Sequence, residues 1–342
     1  MKPTSAKGSS NKRAGKGTGK GIAQAAARKG TGNRTATPRS GATRSAGGAP
    51  SGAPSSSSSG SSSSPRTGAK QFSSRGAGRT GRVTPTGEPP RAPKKTLGGE
   101  QVEGRQAVRE LLIAGKRRVR EIWVASDLDD NEIVADIVEI AKAERVQVQY
   151  VARKRLEAAA RTESPQGVIG YADGIPEADF ATLIKRVPGR VPFLVAVDGV
   201  TDPGNLGALL RSCDGAGVHA VVLPRHRAVH VTPTVAKAAA GAVEYVPMSM
   251  VGGLPQALAM MKEVGIWVVG LDDAADKDLF DIGDLAVEAI CLVMGAEGAG
   301  LSRLVRERCD MIVSIPMLGR LSSLNVSAAA ALATYEIARA RR

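Results

Sequence analysis

The sequence predicts an α/β protein with two folded units behind a long basic segment. Three observations carry that reading. From residue 191 onward, short apolar runs of strand type alternate with helical stretches, the rhythm of a parallel sheet covered on both faces. Residues 100–173 show the same mixture on a smaller scale. Residues 1–97 are instead Gly, Ser, Ala, Pro, Lys and Arg, with Phe72 as the one aromatic.

Such a composition cannot bury enough apolar surface to offset chain entropy, so residues 1–97 are expected to stay disordered. Residues 1–99 hold 19 Lys and Arg against one acid, Glu88, a net +18, while the remainder holds 28 against 32, a net −4. The chain's +14 therefore lies entirely in the tail. That asymmetry points to a polyanionic partner, usually nucleic acid. The tail is expected to tether RNA through counterion release; a solubilising tail is the alternative.

Other classes are excluded. Cys213, Cys291 and Cys309 are too few and too unevenly spaced for a disulfide framework. No C-x-x-C pair occurs, and His219, His226 and His230 lack the partners of a zinc site, so no metal is expected and they read as surface or RNA-facing polarity. There is no run of 18 apolar residues and no apolar h-region behind the basic N-terminus. A cytoplasmic protein with no membrane partner is expected.

In chain order, residues 106–114 read as a helix with Val108, Leu111 and Leu112 on one side, and 121–125 as a strand. Residues 131–145 are helical, with Ile133, Ile137 and Ile140 at helical spacing. Strand 146–151, helix 154–161 and strand 167–171 complete the 100–173 unit. A linker rich in Pro and charge spans 174–190. The unit 191–342 opens with the apolar strand 193–197, of buried type. A helix starting at about Asn205 and ending before Gly217, strand 220–223 and helix 234–240 follow. Helix 255–264, strands 266–269 and 289–294, helix 302–308, strand 311–315 and an Ala-rich helix 325–339 close the chain.

Ligands of open α/β sheets gather at the carboxyl ends of strands, and three segments of unusual composition follow strands here. The first, Asp198-Gly-Val-Thr-Asp-Pro and onward to Arg211, turns into a helix at about Asn205, a good capping residue. Its Arg211 shares a helix side with Gly204, Gly207 and Gly215, which predicts room for a large ligand against the backbone. The second, residues 292–302, carries three glycines in six residues after a strand, which predicts close backbone approach to a ligand; their order is G-x-x-G-x-G rather than the dinucleotide G-x-G-x-x-G. Its Glu297 disfavours a phosphate cradle and suits a hydroxyl, an amine or a cation. The third, residues 314–327, clusters Ser322, Ser323 and Asn325 at the start of the last helix; simple capping explains one of them.

Together the phrases Asp198-Gly-Val-Thr-Asp-Pro, Gly295-Ala-Glu-Gly and Ser322-Ser-Leu-Asn-Val-Ser327 resemble, in order and context, the three motifs of the SpoU class (TrmH family) of the SPOUT methyltransferases. They look most like the bacterial enzymes that methylate a guanosine 2′-OH of 23S rRNA. Residues 100–173 resemble the small, ribosomal-protein-like substrate-binding domain of that subfamily, with Ser164-Pro-Gln-Gly167 at the handover; the long tail is not part of the common pattern. The resemblance implies a trefoil-knotted α/β domain, a homodimer, RNA as substrate and S-adenosyl-L-methionine (SAM) as methyl donor. It assigns the adenine end of SAM to the backbone around Gly295, Ile315 and Leu324, with Met317 close by. It makes Asn205, Arg211, Glu297, Ser323 and Asn325 the catalytic group, with Glu297 holding either its loop or Arg211.

Other readings stay open. The same chemistry on tRNA or another rRNA site, as in antibiotic self-resistance, shares the motifs. A non-catalytic ribosome-assembly factor shares the fold. A nicotinamide dehydrogenase fits the fold class but not the glycine order.

Overall fold

The computed structural model describes residues 95–128, 131–226, 230–275 and 277–342. The expected disordered tail lies outside them except at its end. There Leu97 is buried and Thr96 bridges Pro176, so the folded region starts a few residues earlier than composition indicates.

The first lobe contains β1 (Gln101–Glu103), α1 (Arg105–Ala114), β2 (Val119–Ala125), α2 (Glu132–Ala143), β3 (Gln147–Val151), α3 (Arg153–Ala159) and β4 (Val168–Ala172). Its sheet has the order β1-β4-β2-β3, antiparallel except for the β2–β3 pair. Ile122 and Val124 point to one face with Val108, Leu111 and Ile137 of α1 and α2, while Ala125 and Val151 meet Leu156 of α3 on the other. Period-2 alternation thus divides the strand residues between two helical layers. Asn131 caps α2 by accepting from Ile133 N and Val134 N.

The segment read as a linker is partly helical. Asp179 caps α4 (Phe180–Ile184), and Ile184 is buried. One turn is too short to show a helical period in the sequence.

The second lobe holds β5 (Phe193–Val197), α5 (Pro203–Gly215), β6 (Ala220–Pro224), α6 (Pro233–Ala238), β7 (Met248–Val251), α7 (Leu254–Glu263), β8 (Trp267–Leu271), β9 (Lys277–Asp278), β10 (Ile290–Met294), α8 (Arg303–Arg306), β11 (Met311–Ser314) and α9 (Val326–Ala340). All strand pairs of this sheet are parallel, in the order β7-β6-β5-β10-β8-β11-β9. Both faces are covered: Phe193, Val195 and Val197 of β5 face one core, Leu194 and Ala196 the other, and Ile290, Leu292 and Met294 of β10 alternate with Cys291 and Val293 likewise. Parallel strands buried on both sides need no polar residue, which is why they read as continuous apolar runs. The short β7 and β9 lie at the sheet edges and were not legible as strands.

Two readings of α5 are corrected. The helix begins at Pro203 and its cap is Asp202, which accepts from Asn205 N at 2.6 Å. Gly207 and Gly215, on the side of Arg211, give clearance to neighbouring helices rather than to a ligand, whereas a Cβ at Gly204 would meet only Asp202 Oδ1, at 3.1 Å. A Cβ at Gly207 would lie 2.5 Å from Ala238 Cβ and 2.7 Å from Val235 O of α6, and one at Gly215 would lie 2.6 Å from the Tyr335 hydroxyl of α9.

The lobes are joined by a buried bidentate ion pair. Arg117, after α1, donates to Glu244 at 2.9 and 2.5 Å, and also to the carbonyls of Gly99 and Asp173. Both side chains are almost fully excluded from solvent. The Tyr245 hydroxyl adds a 2.7 Å bond to Glu110 of α1. His219, expected at the surface, is half-buried instead, and its Nδ1 accepts from Phe193 N at 2.9 Å; His226 and His230 are exposed.

Candidate active site

Because β5, β10, β8 and β11 are parallel neighbours, their carboxyl ends open on one side of the sheet. There the loop 295–300 and residues of the segment 315–326 leading into α9 line a cavity of about 360 Å³, and the N-terminus of α5 adjoins it through the bond from Asn205 to Glu297.

The glycine loop closes on itself. Ala296 and Gly300 exchange backbone bonds of 3.0 and 2.9 Å. A Cβ at Gly295 would lie 2.3 Å from the Gly300 carbonyl carbon, and Gly300 has φ +63°. These glycines are therefore required by the loop's own turn. The sequence reading, which assigned them to ligand clearance, suits only Gly298, whose surroundings are open.

That closure presents Glu297 outward. Its Oε2 accepts from Asn205 Nδ2 at 3.1 Å and from Asn325 Nδ2 at 3.4 Å, and Asn325 Nδ2 also lies 2.9 Å from Asn205 Oδ1. Asn325 divides its two ends. Its Oδ1 caps α9 by accepting from Ser327 N at 2.9 Å, while the amide nitrogen reaches the cluster. Asn205 is released for the cluster because Asp202 takes over the capping of α5. Residues 28 and 120 positions from Asn325 thus meet in one hydrogen-bonded group.

Gly295, Ile315, Met317 and Leu324 all line the cavity, as do Glu297, Ser322 and Ser323. Ser323 is exposed and makes no hydrogen bond among the described residues. Asn205, Asn325 and Arg211 do not line the cavity; the two asparagines reach its Glu297, whereas the Arg211 side chain is exposed and has no hydrogen-bond or ion-pair partner among the described residues. Within one chain, Glu297 therefore holds Asn205 and Asn325 rather than Arg211.

Sequence reasoning missed Asp272 and Asp273, which line the cavity at the end of β8. The available signal was their position: a pair of carboxylates directly after an apolar strand.

The lining suits a cationic ligand with a flat apolar part. Leu271, Met294, Ile315, Met317, Leu324 and Val326 supply apolar walls, and Asp272, Asp273 and Glu297 are its charged side chains, with no Lys or Arg. SAM, an adenosine bearing a sulfonium, an ammonium and a carboxylate with a net positive charge, matches that pairing of greasy wall and carboxylates, of which Asp272 is itself paired with Arg306. Among the described residues no group of His, Cys, Asp and Glu is placed to hold a metal ion, and no helix is long and apolar enough to cross a membrane.

Comparison with known proteins shows the family and the fold. The SpoU rRNA Methylase family matches residues 192–335, and the family described as RNA 2′-O ribose methyltransferase substrate binding matches residues 101–177. A relative from Bacillus subtilis, the putative TrmH family tRNA/rRNA methyltransferase YacO, is 38% identical over 71% of this chain and 96% of its own length. The Escherichia coli 23S rRNA (guanosine-2′-O-)-methyltransferase RlmB is 38% identical over 71% of this chain and 99% of its own. Among solved structures, the SpoU methyltransferase AviRb from Streptomyces viridochromogenes in complex with AdoMet superposes with a TM-score of 0.59. It is 29% identical, and the match covers 70% of this chain and 89% of that one.

Proposed function

The chain belongs to the SpoU rRNA methylase family of SAM-dependent RNA 2′-O-ribose methyltransferases, and we propose that its substrate is a guanosine of 23S ribosomal RNA. The observation that carries the proposal is the likeness to RlmB across both lobes, since the match spans 99% of that enzyme. A cytoplasmic setting belongs to the same proposal.

In this reading the cavity residues Gly295, Ile315, Met317 and Leu324 hold SAM by backbone bonds and apolar contact. SAM supplies an activated methyl group on a sulfonium. The protein's task is the nucleophile, because a ribose 2′-OH is protonated near neutral pH and must lose its proton as it attacks. Arg211 stays charged, since a guanidinium is not deprotonated in proteins. It stabilises the developing alkoxide and grips the adjacent phosphate, which takes the proton. Ser323 offers a free hydroxyl to the ribose. Asn205, Asn325 and Glu297 form the polar wall that orients it.

Arg211 does not line the cavity of its own chain and its side chain is unpartnered among the described residues, which supports a homodimer in which a second copy delivers Arg211 to that wall. Closed two-fold pairs are the commonest soluble assemblies, and such a pair would complete two sites at once.

The substrate is tested by incubating the protein and tritiated SAM with total RNA from cells lacking the corresponding modification, then mapping the label by nuclease digestion and mass spectrometry. 2′-O-methylguanosine in 23S rRNA is expected. Label in tRNA, which the name of the Bacillus relative leaves open, would overturn the substrate and keep the chemistry.

A further inference from the structure

The glycine loop is fastened at its far end by carboxylates from the strands on either side of it. β10, which feeds the loop, lies between β5 and β8. Asp198, just after β5, accepts from Ser302 N at 2.7 Å. Asp272, just after β8, accepts from Leu301 N at 3.2 Å. Consecutive backbone N–H groups are thus held from opposite sides.

Asp272 is the more elaborately held of the two. Its Oδ1 accepts from Ala274 N at 3.1 Å and pairs with Arg306 of α8 at 2.7 Å, and Arg306 also donates to the Ala274 carbonyl. Its side chain is 8% exposed. Burial opposes ionisation, yet the Leu301 and Ala274 N–H groups and Arg306 together hold its carboxyl below the usual value. The backbone is shaped around it: a Cβ on Gly300 would lie 2.8 Å from Asp272 Oδ2. Gly300 in turn closes the loop on Ala296, beside Gly295 in the cavity wall.

We propose that Asp272 is a positioning residue for the methyl donor: ionised and locked by Arg306, it seats the 295–301 loop and sets the affinity for SAM without taking part in the transfer. The proposal rests on the reading of the cavity as the SAM site. Its separability comes from geometry. Asp272 holds the loop at Leu301, whereas the Asn205–Glu297–Asn325 wall is built from other contacts.

The test is Asp272→Asn, which keeps the side chain's shape and loses the charge that Arg306 and the amides share. Calorimetry on the full chain is expected to show SAM binding weakened about ten-fold, ~1.4 kcal/mol. KM for SAM should rise in step, with kcat at saturating SAM and KM for RNA within about two-fold of wild type. A merely structural role would lower kcat and the melting temperature together instead. Arg306→Gln, at a more exposed position, should shift SAM affinity in the same direction and serves if Asp272→Asn does not fold. Unchanged SAM affinity in a folded variant, or a loss of kcat at unchanged affinity, overturns the proposal. A wild-type protein that binds no SAM overturns the cavity reading itself, and that result is distinct because it appears before any substitution.

Discussion

Asn325 performs two jobs with one side chain, and they can be separated. Its oxygen caps α9 and its nitrogen joins Asn205 and Glu297. Serine is as good a cap as asparagine, where alanine would cost about 1 kcal/mol, but serine has no amide to reach Glu297. Asn325→Ser is therefore expected to keep the wild-type melting temperature while kcat/KM falls by about 10²-fold, ~2.7 kcal/mol of lost transition-state stabilisation. A parallel loss of stability, or full activity, would place Asn325 outside the chemistry. His219 gives a pH prediction at the same scale. Burial, then the charges of Arg190 and Arg341, push its imidazole down to about 4. The ring is neutral in folded and unfolded chains above its ordinary value of about 6.5. Below that the unfolded chain binds the proton and the folded one does not, so stability should fall as pH drops from about 6.5 towards 4. Urea midpoints across that window should show the slope, and His219→Gln, which can still accept from Phe193 N, should flatten it.

At the scale of elements, the inner strands of the catalytic lobe were legible because complete burial writes continuous apolar runs, as in β5 and β10. Helices with a one-sided core stripe, such as α1 and α2, were legible from their period. The short β1, β7, β9 and α4 were not, since a few residues carry no period and their pairing comes from distant segments. The glycines misled for a related reason. Composition reveals that close approach occurs, not what approaches: Gly207 and Gly215 meet helices, and Gly295 meets its own loop. Motif order brought Asn205, Glu297 and Asn325 into one group, but no local signal tied Asp272 to the loop it holds. The Arg117–Glu244 pair, equally invisible in sequence, joins the turn after α1 to the turn after α6. Removing one partner of a buried pair leaves an uncompensated charge. Arg117→Ala is expected to lower unfolding free energy by about 3–5 kcal/mol in urea titration. A change below about 1 kcal/mol, the range of exposed pairs, would show that the pair is solvated in solution.

For the whole molecule, the substrate-binding lobe and the catalytic lobe share one hydrophobic core that runs from Val108 and Leu111 to Leu206 and Val235. The first lobe is thus held in a fixed position relative to the cavity. Arg211 is exposed, its side chain has no partner among the described residues, and it is not among the residues that line the cavity. In the proposed homodimer two chains complete each site. That claim is tested most directly by mixing two inactive proteins, Arg211→Ala and Asn325→Ser, under conditions of subunit exchange, and measuring label transfer from SAM to RNA. Random pairing makes about half the dimers mixed, each with one intact site, so about a quarter of wild-type turnover should return. Turnover that stays at the sum of the two separate variants would contradict the claim, placing Arg211 in its own chain's site or outside the reaction.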